Sequence, residues 1–184
     1  DNRCDGGELM RSAKSACAAD GLLRNPHIQS ILSSSPWRRQ AGLERLNALG
    51  AVAQGRILQL PDGVRLAGIH YVSPSANPEK ALVLLLHGWE GSARSSYIQH
   101  SAAELLAAGL DVFALNFRDH GETHELNEGL FHSCRLQEII DAAKAVLQQC
   151  RPQRFFVAGY SLGGNFALRL ALVAQREALP IDAA

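Results

Sequence analysis

Arg154-Phe155-Phe156-Val157-Ala158-Gly159-Tyr160-Ser161-Leu162-Gly163-Gly164 is the stretch from which the rest of the chain is read. Arg154 to Ala158 is a short apolar run rich in aromatic and branched residues, the composition of a core strand. A helix is expected to follow from about Gly164 to Glu177. Between them stands Gly159-Tyr160-Ser161-Leu162-Gly163, a G-x-S-x-G pattern. The pattern alone is fair evidence, but a strand directly before it and a helix directly after it are what a nucleophile elbow requires. A turn this sharp holds its serine in a strained backbone conformation with the hydroxyl clear of the sheet. Flanking glycines let the neighbouring backbones approach.

Upstream of the elbow, strand and helix patterns alternate. Arg56 to Leu60 and Arg65 to Val72 flank Pro61-Asp62-Gly63, which predicts an antiparallel hairpin. Ala81 to Leu86 is continuously apolar, as in a strand covered on both faces. A helix is expected over Ser95 to Ala108, a second buried strand over Asp111 to Phe117, and an amphipathic helix over Arg135 to Gln149. In that last helix Leu136, Ile139, Ile140, Ala143, Val146 and Leu147 form one stripe. Arg38 to Leu49 reads as a further short helix. Such alternation implies an α/β fold, a mostly parallel sheet with helices on both faces.

In such sheets chemistry gathers at the carboxyl ends of the strands. Three loops leave those ends: His87 to Arg94, Arg118 to Leu130, and Gly159 to Gly164. If Ser161 attacks a carbonyl, two backbone N–H groups must hold the oxyanion that forms. Leu162, following the nucleophile, supplies the first, and Trp89 in His87-Gly88-Trp89-Glu90-Gly91 the second. His87 precedes the serine at a strand end and is read as ordering its loop rather than as the base.

Composition excludes several classes. Eighteen basic residues balance eighteen acidic ones, so nothing favours a nucleic-acid partner. Cys4, Cys17, Cys134 and Cys150 have no metal-binding spacing and are read as reduced thiols, which points to the cytoplasm. No apolar run approaches the roughly 18 residues of a membrane span, and no signal peptide is read at the start. Residues 1–21 are small and polar and are expected to form a loose segment. No phosphate-binding glycine loop follows the first apolar strand, so a nucleotide-binding domain is disfavoured.

The elements together resemble the α/β-hydrolase superfamily, and within it bacterial esterases and medium-chain acyl-ester hydrolases and synthases. The residues that carry the likeness are Asn25-Pro26-His27-Ile28-Gln29-Ser30, His87 to Gly91 with Ser96-Tyr97, Asn116-Phe117-Arg118-Asp119-His120-Gly121, and Gly159 to Asn165. The resemblance covers residues 22–184 and implies a serine esterase acting on short or medium-chain acyl esters through an acyl-serine, with no cofactor and no metal. It also implies an acid and a histidine after the serine. No histidine follows Ser161, and the only acidic residues there are Glu177 and Asp182. The expectation is therefore that residues 22–184 are the amino-terminal part of one hydrolase domain, ending after the elbow helix and nearly inactive alone.

Alternatives within the chain are weaker. Asp119 and His120 are adjacent, which rarely lets a carboxylate reach the far imidazole nitrogen. His120, His124 and Glu125 have no standard metal spacing. Asn25-Pro26-His27 reads as an extended entry segment, with a part in closing the site as the alternative. The alternative functional readings are a non-catalytic interaction domain on the same scaffold, and thioesterase or acyltransferase action. Without its missing strands, Phe155 to Tyr160 would be an unpaired sheet edge. The elbow helix, apolar nearly all round from Phe166 to Ala174, would also need cover on more than one side.

Overall fold

The structure, a computed structural model, describes residues 21–25, 27–28, 35–74 and 79–184. The chain divides into two compact units, Asp1–Ser35 and Pro36–Ala184. In the first, Gly21–Arg24 form a single 3-10 turn. Asn25 Oδ1 there accepts the His27 N–H at 2.9 Å. Pro26, Gln29, Ser30, Cys4, Cys17 and the expected loose segment up to residue 20 lie outside the described residues.

The second unit is built on a six-stranded sheet. Strands β1 (Val52–Gln59) and β2 (Arg65–Val72) form the expected hairpin, with Val52 opposite Val72 and Gln59 opposite Arg65. The Leu60 to Val64 turn closes through Leu60 N–H to Val64 O at 2.8 Å and Val64 N–H to Asp62 Oδ1 at 3.1 Å. Strands β3 (Ala81–Leu86), β4 (Asp111–Leu115) and β5 (Arg154–Gly159) are parallel to one another, with β3 in the centre. The order is β1-β2-β4-β3-β5-β6, and β2 joins β4 antiparallel. All six residues of β3 are buried, which is why that segment reads as an unbroken apolar run.

Helices cover both faces. On one side, α1 (Pro36–Ala48) and α2 (Ser96–Ala107) bring Leu46, Ile98, Ala102 and Leu106 against Tyr71, Leu85 and Val112. On the other, α3 (Leu136–Cys150) and α4 (Leu162–Val173) bury Ile139, Ile140, Ala143, Val146, Phe166 and Leu170 against Leu84, Leu86, Phe113 and Phe155. Each such leucine, isoleucine, valine or phenylalanine stabilises the fold by about 1.5–3 kcal/mol relative to exposure, and each alanine by less. The α3 stripe is the one its spacing predicts. Leu136 and Leu147 at its ends are only partly buried.

Two expectations need correction after the elbow. The helix ends at Val173 rather than near Glu177, because the chain reverses through Ala178 at φ 52° and Leu179 N–H bonds back to Ala174 O at 2.9 Å. That reversal buries Leu179 and carries the chain into a short sixth strand, β6 (Ile181–Ala183). The fold therefore does not stop at the elbow helix, and β5 is not left wholly unpaired. Ile181 lies opposite Phe155 and Ala183 opposite Phe156, while Asp182 Oδ2 accepts the Phe155 N–H at 2.7 Å. A three-residue strand after a turn offers no periodicity to read. On α4, Leu168 and Leu172 remain 68% and 87% exposed, so one apolar side of that helix is open.

Candidate active site

Ser161 stands at the junction of β5 and α4 with φ 51° and ψ −112°, a conformation that costs a non-glycine residue about 1–3 kcal/mol. Neighbouring backbone contacts hold it there. Tyr160 N–H bonds to Leu86 O of β3 at 3.0 Å, and Gly163 N–H turns back to Tyr160 O at 2.8 Å. The turn is too tight for side chains at its flanks. A Cβ on Gly163 would sit 2.5 Å from His87 O and 2.6 Å from Leu86 C, and one on Gly159 would sit 2.7 Å from Gly164 N. The result is an exposed serine at the start of a helix, whose first N–H groups have no intrahelical acceptor. Leu162 is the first residue of that helix.

The loop leaving β3 lies directly against it. A Cβ on Gly88 would come within 3.5 Å of Ser161 Cβ and 3.4 Å of Tyr160 O. The loop is itself a tight turn, with Gly91 N–H bonded to Gly88 O at 3.0 Å and Glu90 at φ 54°. Tyr97 of α2 braces it by accepting the Gly88 N–H on its hydroxyl at 3.0 Å. Trp89, the residue after Gly88, is 59% exposed. The tertiary fold thus brings Ser161, the loop bearing Trp89 and the amino end of Leu162 to one place on the carboxyl edge of the sheet. Helix-start N–H groups there favour developing negative charge.

His87 is fully buried beneath this arrangement. Its Nε2 accepts the Phe117 N–H at 3.1 Å, so the ring proton sits on Nδ1, which donates to Gly88 O at 2.7 Å. Burial lowers its pKa to about 4, and the adjacent His120 ring adds to the effect, against the opposing pull of Gly88 O. With both nitrogens occupied and the ring neutral, His87 ties the loop to the end of β4.

The Arg118 to Leu130 loop forms the neighbouring wall. Arg118 Nε and Nη2 both donate to Glu138 Oε2 of α3, at 3.0 and 2.6 Å, and Nη1 donates to Glu128 O at 2.8 Å. Both ends of this ion pair are buried. His120 Nδ1 bonds Arg118 O at 2.8 Å, while His124 Nδ1 pairs with Asp119 Oδ1. The Asp119 carboxylate is therefore engaged by His124, not by its neighbour His120. His132 is exposed. Among the described residues no group of three or more His, Cys, Asp or Glu side chains is disposed to hold a metal ion. A cleft of about 460 Å³ opens between Trp89, His120, Leu130 and Phe131. Its back is a ring cluster in which Phe117 stacks on Phe131 at 4.9 Å and His120 meets Phe131 edge-on at 5.3 Å.

Sequence reasoning missed the Arg118–Glu138 clamp, the Tyr97 brace and the Phe131 wall. Only the clamp leaves a local sign, a glutamate set beside the apolar stripe of α3.

Comparisons with known proteins bear on the fold that carries these residues. A family model described as alpha/beta hydrolase fold matches residues 81–180. A pimeloyl-[acyl-carrier protein] methyl ester esterase of Nitrosomonas europaea is 29% identical over 112 residues, which are 61% of this chain and 38% of that protein. Among solved structures, esterase Est22 superposes with a TM-score of 0.63 at 17% identity, over 96% of this chain and 53% of its own. Esterase Pf2001 of Pyrococcus furiosus gives 0.57 at 22%, over 67% and 48%. A lidless a/b serine hydrolase of Xanthomonas campestris gives 0.57 at 21%, over 67% and 57%. The structural likenesses are of fold. The chain spans 38% of the curated relative it matches and about half of these structures.

Proposed function

The chain belongs to the alpha/beta hydrolase fold family, and from that premise we propose that it carries the nucleophile and oxyanion site of a serine carboxylic-ester hydrolase acting on short or medium-chain acyl esters. Ser161 Oγ adds to the ester carbonyl while a histidine from outside residues 1–184 takes its proton. The carbonyl oxygen, now negative, accepts the N–H groups of Trp89 and Leu162, each contributing about 3 kcal/mol to the transition state. Collapse expels the alcohol, which receives the histidine's proton, and leaves an acyl-serine. Water, deprotonated by the same histidine, adds to the acyl carbon, and the acid departs as Oγ regains its proton.

One observation supports this reading above the others: the exposed Ser161 at positive φ on the first turn of α4, against the Gly88 loop. The name of the Nitrosomonas relative supports an acyl methyl ester as the substrate type. The free thiols of Cys134 and Cys150 suit a cytoplasmic setting. No helix among the described residues is long and apolar enough to cross a membrane.

The test uses p-nitrophenyl butyrate and a fluorophosphonate probe. A protein extended beyond residue 184 should hydrolyse the ester and label at Ser161, and Ser161→Ala should abolish both. Residues 1–184 alone should turn over very slowly, since loss of a catalytic histidine costs about 10⁶ in a related chemistry. Robust hydrolysis by residues 1–184 that Ser161→Ala abolishes would overturn the assignment of the base outside them. An extended protein that labels nowhere would favour a non-catalytic domain. Methyl ester, thioester and alcohol-acceptor assays separate esterase from thioesterase and acyltransferase action.

A further inference from the structure

A second pocket, of about 400 Å³, lies over the outer end of the sheet, against β1 and β2. Its floor is set by register. Gly55 faces Ile69 and Ile57 faces Ala67 across the hairpin, and residues directly opposite in an antiparallel pair share a face. All four line the pocket. The floor is therefore apolar, and Ile57 is left 50% exposed on it. Gly55 interrupts the strand without a structural need: a Cβ built there meets nothing within 4 Å. Glycine inside a strand weakens it and often marks the close approach of a ligand.

Two arginines stand at the walls, Arg39 from α1 and Arg94 from the loop after β3. No carboxylate among the described residues forms an ion pair with either. Glu122 also lines the pocket but pairs with neither, which leaves one net positive charge. Arg56 is not a third cation here. Strand alternation turns its side chain to the opposite face, where its charge acts on His70 and Cys150.

We infer that this pocket binds an amphiphilic small anion, with a carboxylate or phosphate monoester read by Arg39 and Arg94 and an apolar stem lying over Ile57, Ala67 and Ile69. Forked guanidinium donors match the planar or tetrahedral oxyanion, and an apolar floor gains from covering an exposed isoleucine. The inference does not rest on the chemistry assigned to Ser161.

Titration calorimetry on the chain with octanoate, octyl phosphate and uncharged octanol, each below its aggregation concentration, tests it. At least one anion should bind and octanol should not. Octanoate alone identifies a carboxylate, octyl phosphate alone a phosphate, and both together a general oxyanion site. Arg39→Gln and Arg94→Gln should each weaken binding by about tenfold or more. Gly55→Val should block the pocket without loss of thermal stability, because its added atoms enter open space. Ser161→Ala should leave binding unchanged. Equal binding of octanol, no binding of either anion, undiminished binding by Gly55→Val, or loss of binding in Ser161→Ala would each overturn the proposal.

Discussion

The hydroxyl of Tyr97 accepts the backbone N–H of Gly88 at 3.0 Å, so a side chain on α2 holds in place the loop that abuts Ser161. The same ring meets Tyr160 edge-on at 4.9 Å, and Tyr160 bonds through its own hydroxyl to Ser101. One helix thus braces both sides of the serine, the Gly88 loop and the residue before the nucleophile.

Tyr97→Phe keeps the ring contact and removes the acceptor, leaving a buried N–H unpaired. Stability should fall by about 1–3 kcal/mol in denaturant unfolding. In a protein extended to include the histidine, kcat should fall with KM nearly unchanged, because the loop would misplace the Trp89 N–H only as the oxyanion forms. A variant with raised KM and intact kcat would assign Tyr97 to substrate binding instead.

The elbow glycines answer to sterics. Gly163→Ala would drive a methyl into Leu86 and His87 backbone atoms, and Gly159→Ala would do the same to the start of α4. Each should lower stability by about 3 kcal/mol or more, seen as a large drop in Tm or loss of soluble protein. Gly164→Ala, whose Cβ would lie no closer than 3.2 Å to Gly159 O, should be much milder.

His87 makes stability depend on pH in a definite direction. Its folded pKa of about 4 lies below its unfolded value of 6.5, so folding favours the neutral ring. Its contribution is complete above pH 6.5 and is lost as pH falls from there through about 4, by an amount on the order of 3 kcal/mol. Urea unfolding followed across that range should show the loss, and His87→Gln should flatten it. An unchanged slope in the variant would assign the acid lability to other groups.

Arg118→Met would leave the buried Glu138 carboxylate with only the longer contact to Arg135 Nη1, at 3.6 Å, and should cost up to about 3–5 kcal/mol. The double variant Arg118→Met/Glu138→Met should recover much of that loss, since two apolar side chains replace two desolvated charges. Denaturant midpoints of the single and double variants measure both. A double variant as unstable as the single one would mean that the clamp acts through the Glu128 carbonyl contact instead.

What could be read from the residues in order was whatever is encoded within a few positions. Ala81 to Leu86 is a strand because six apolar residues in a row suit a segment covered on both faces, and α3 is a helix because its apolar residues recur at helical spacing. The elbow was legible because strand, glycines and helix are contiguous. Tertiary structure alone decided which strands are neighbours, since Leu82 opposite Phe155 joins segments that share no local signal. It alone added β6, whose three residues are held by the Phe155 edge and by Asp182 rather than by any pattern of their own. The ordering role of His87 was legible from its place at a strand end, but tertiary structure alone supplied its partners, Phe117 N–H and Gly88 O. It also set Tyr97 beside Gly88, clamped Arg118 to Glu138, and put Arg39 and Arg94 in the lining of one pocket. Those relationships depend on distances across the fold, and burial and hydrogen bonding act on what is near in space.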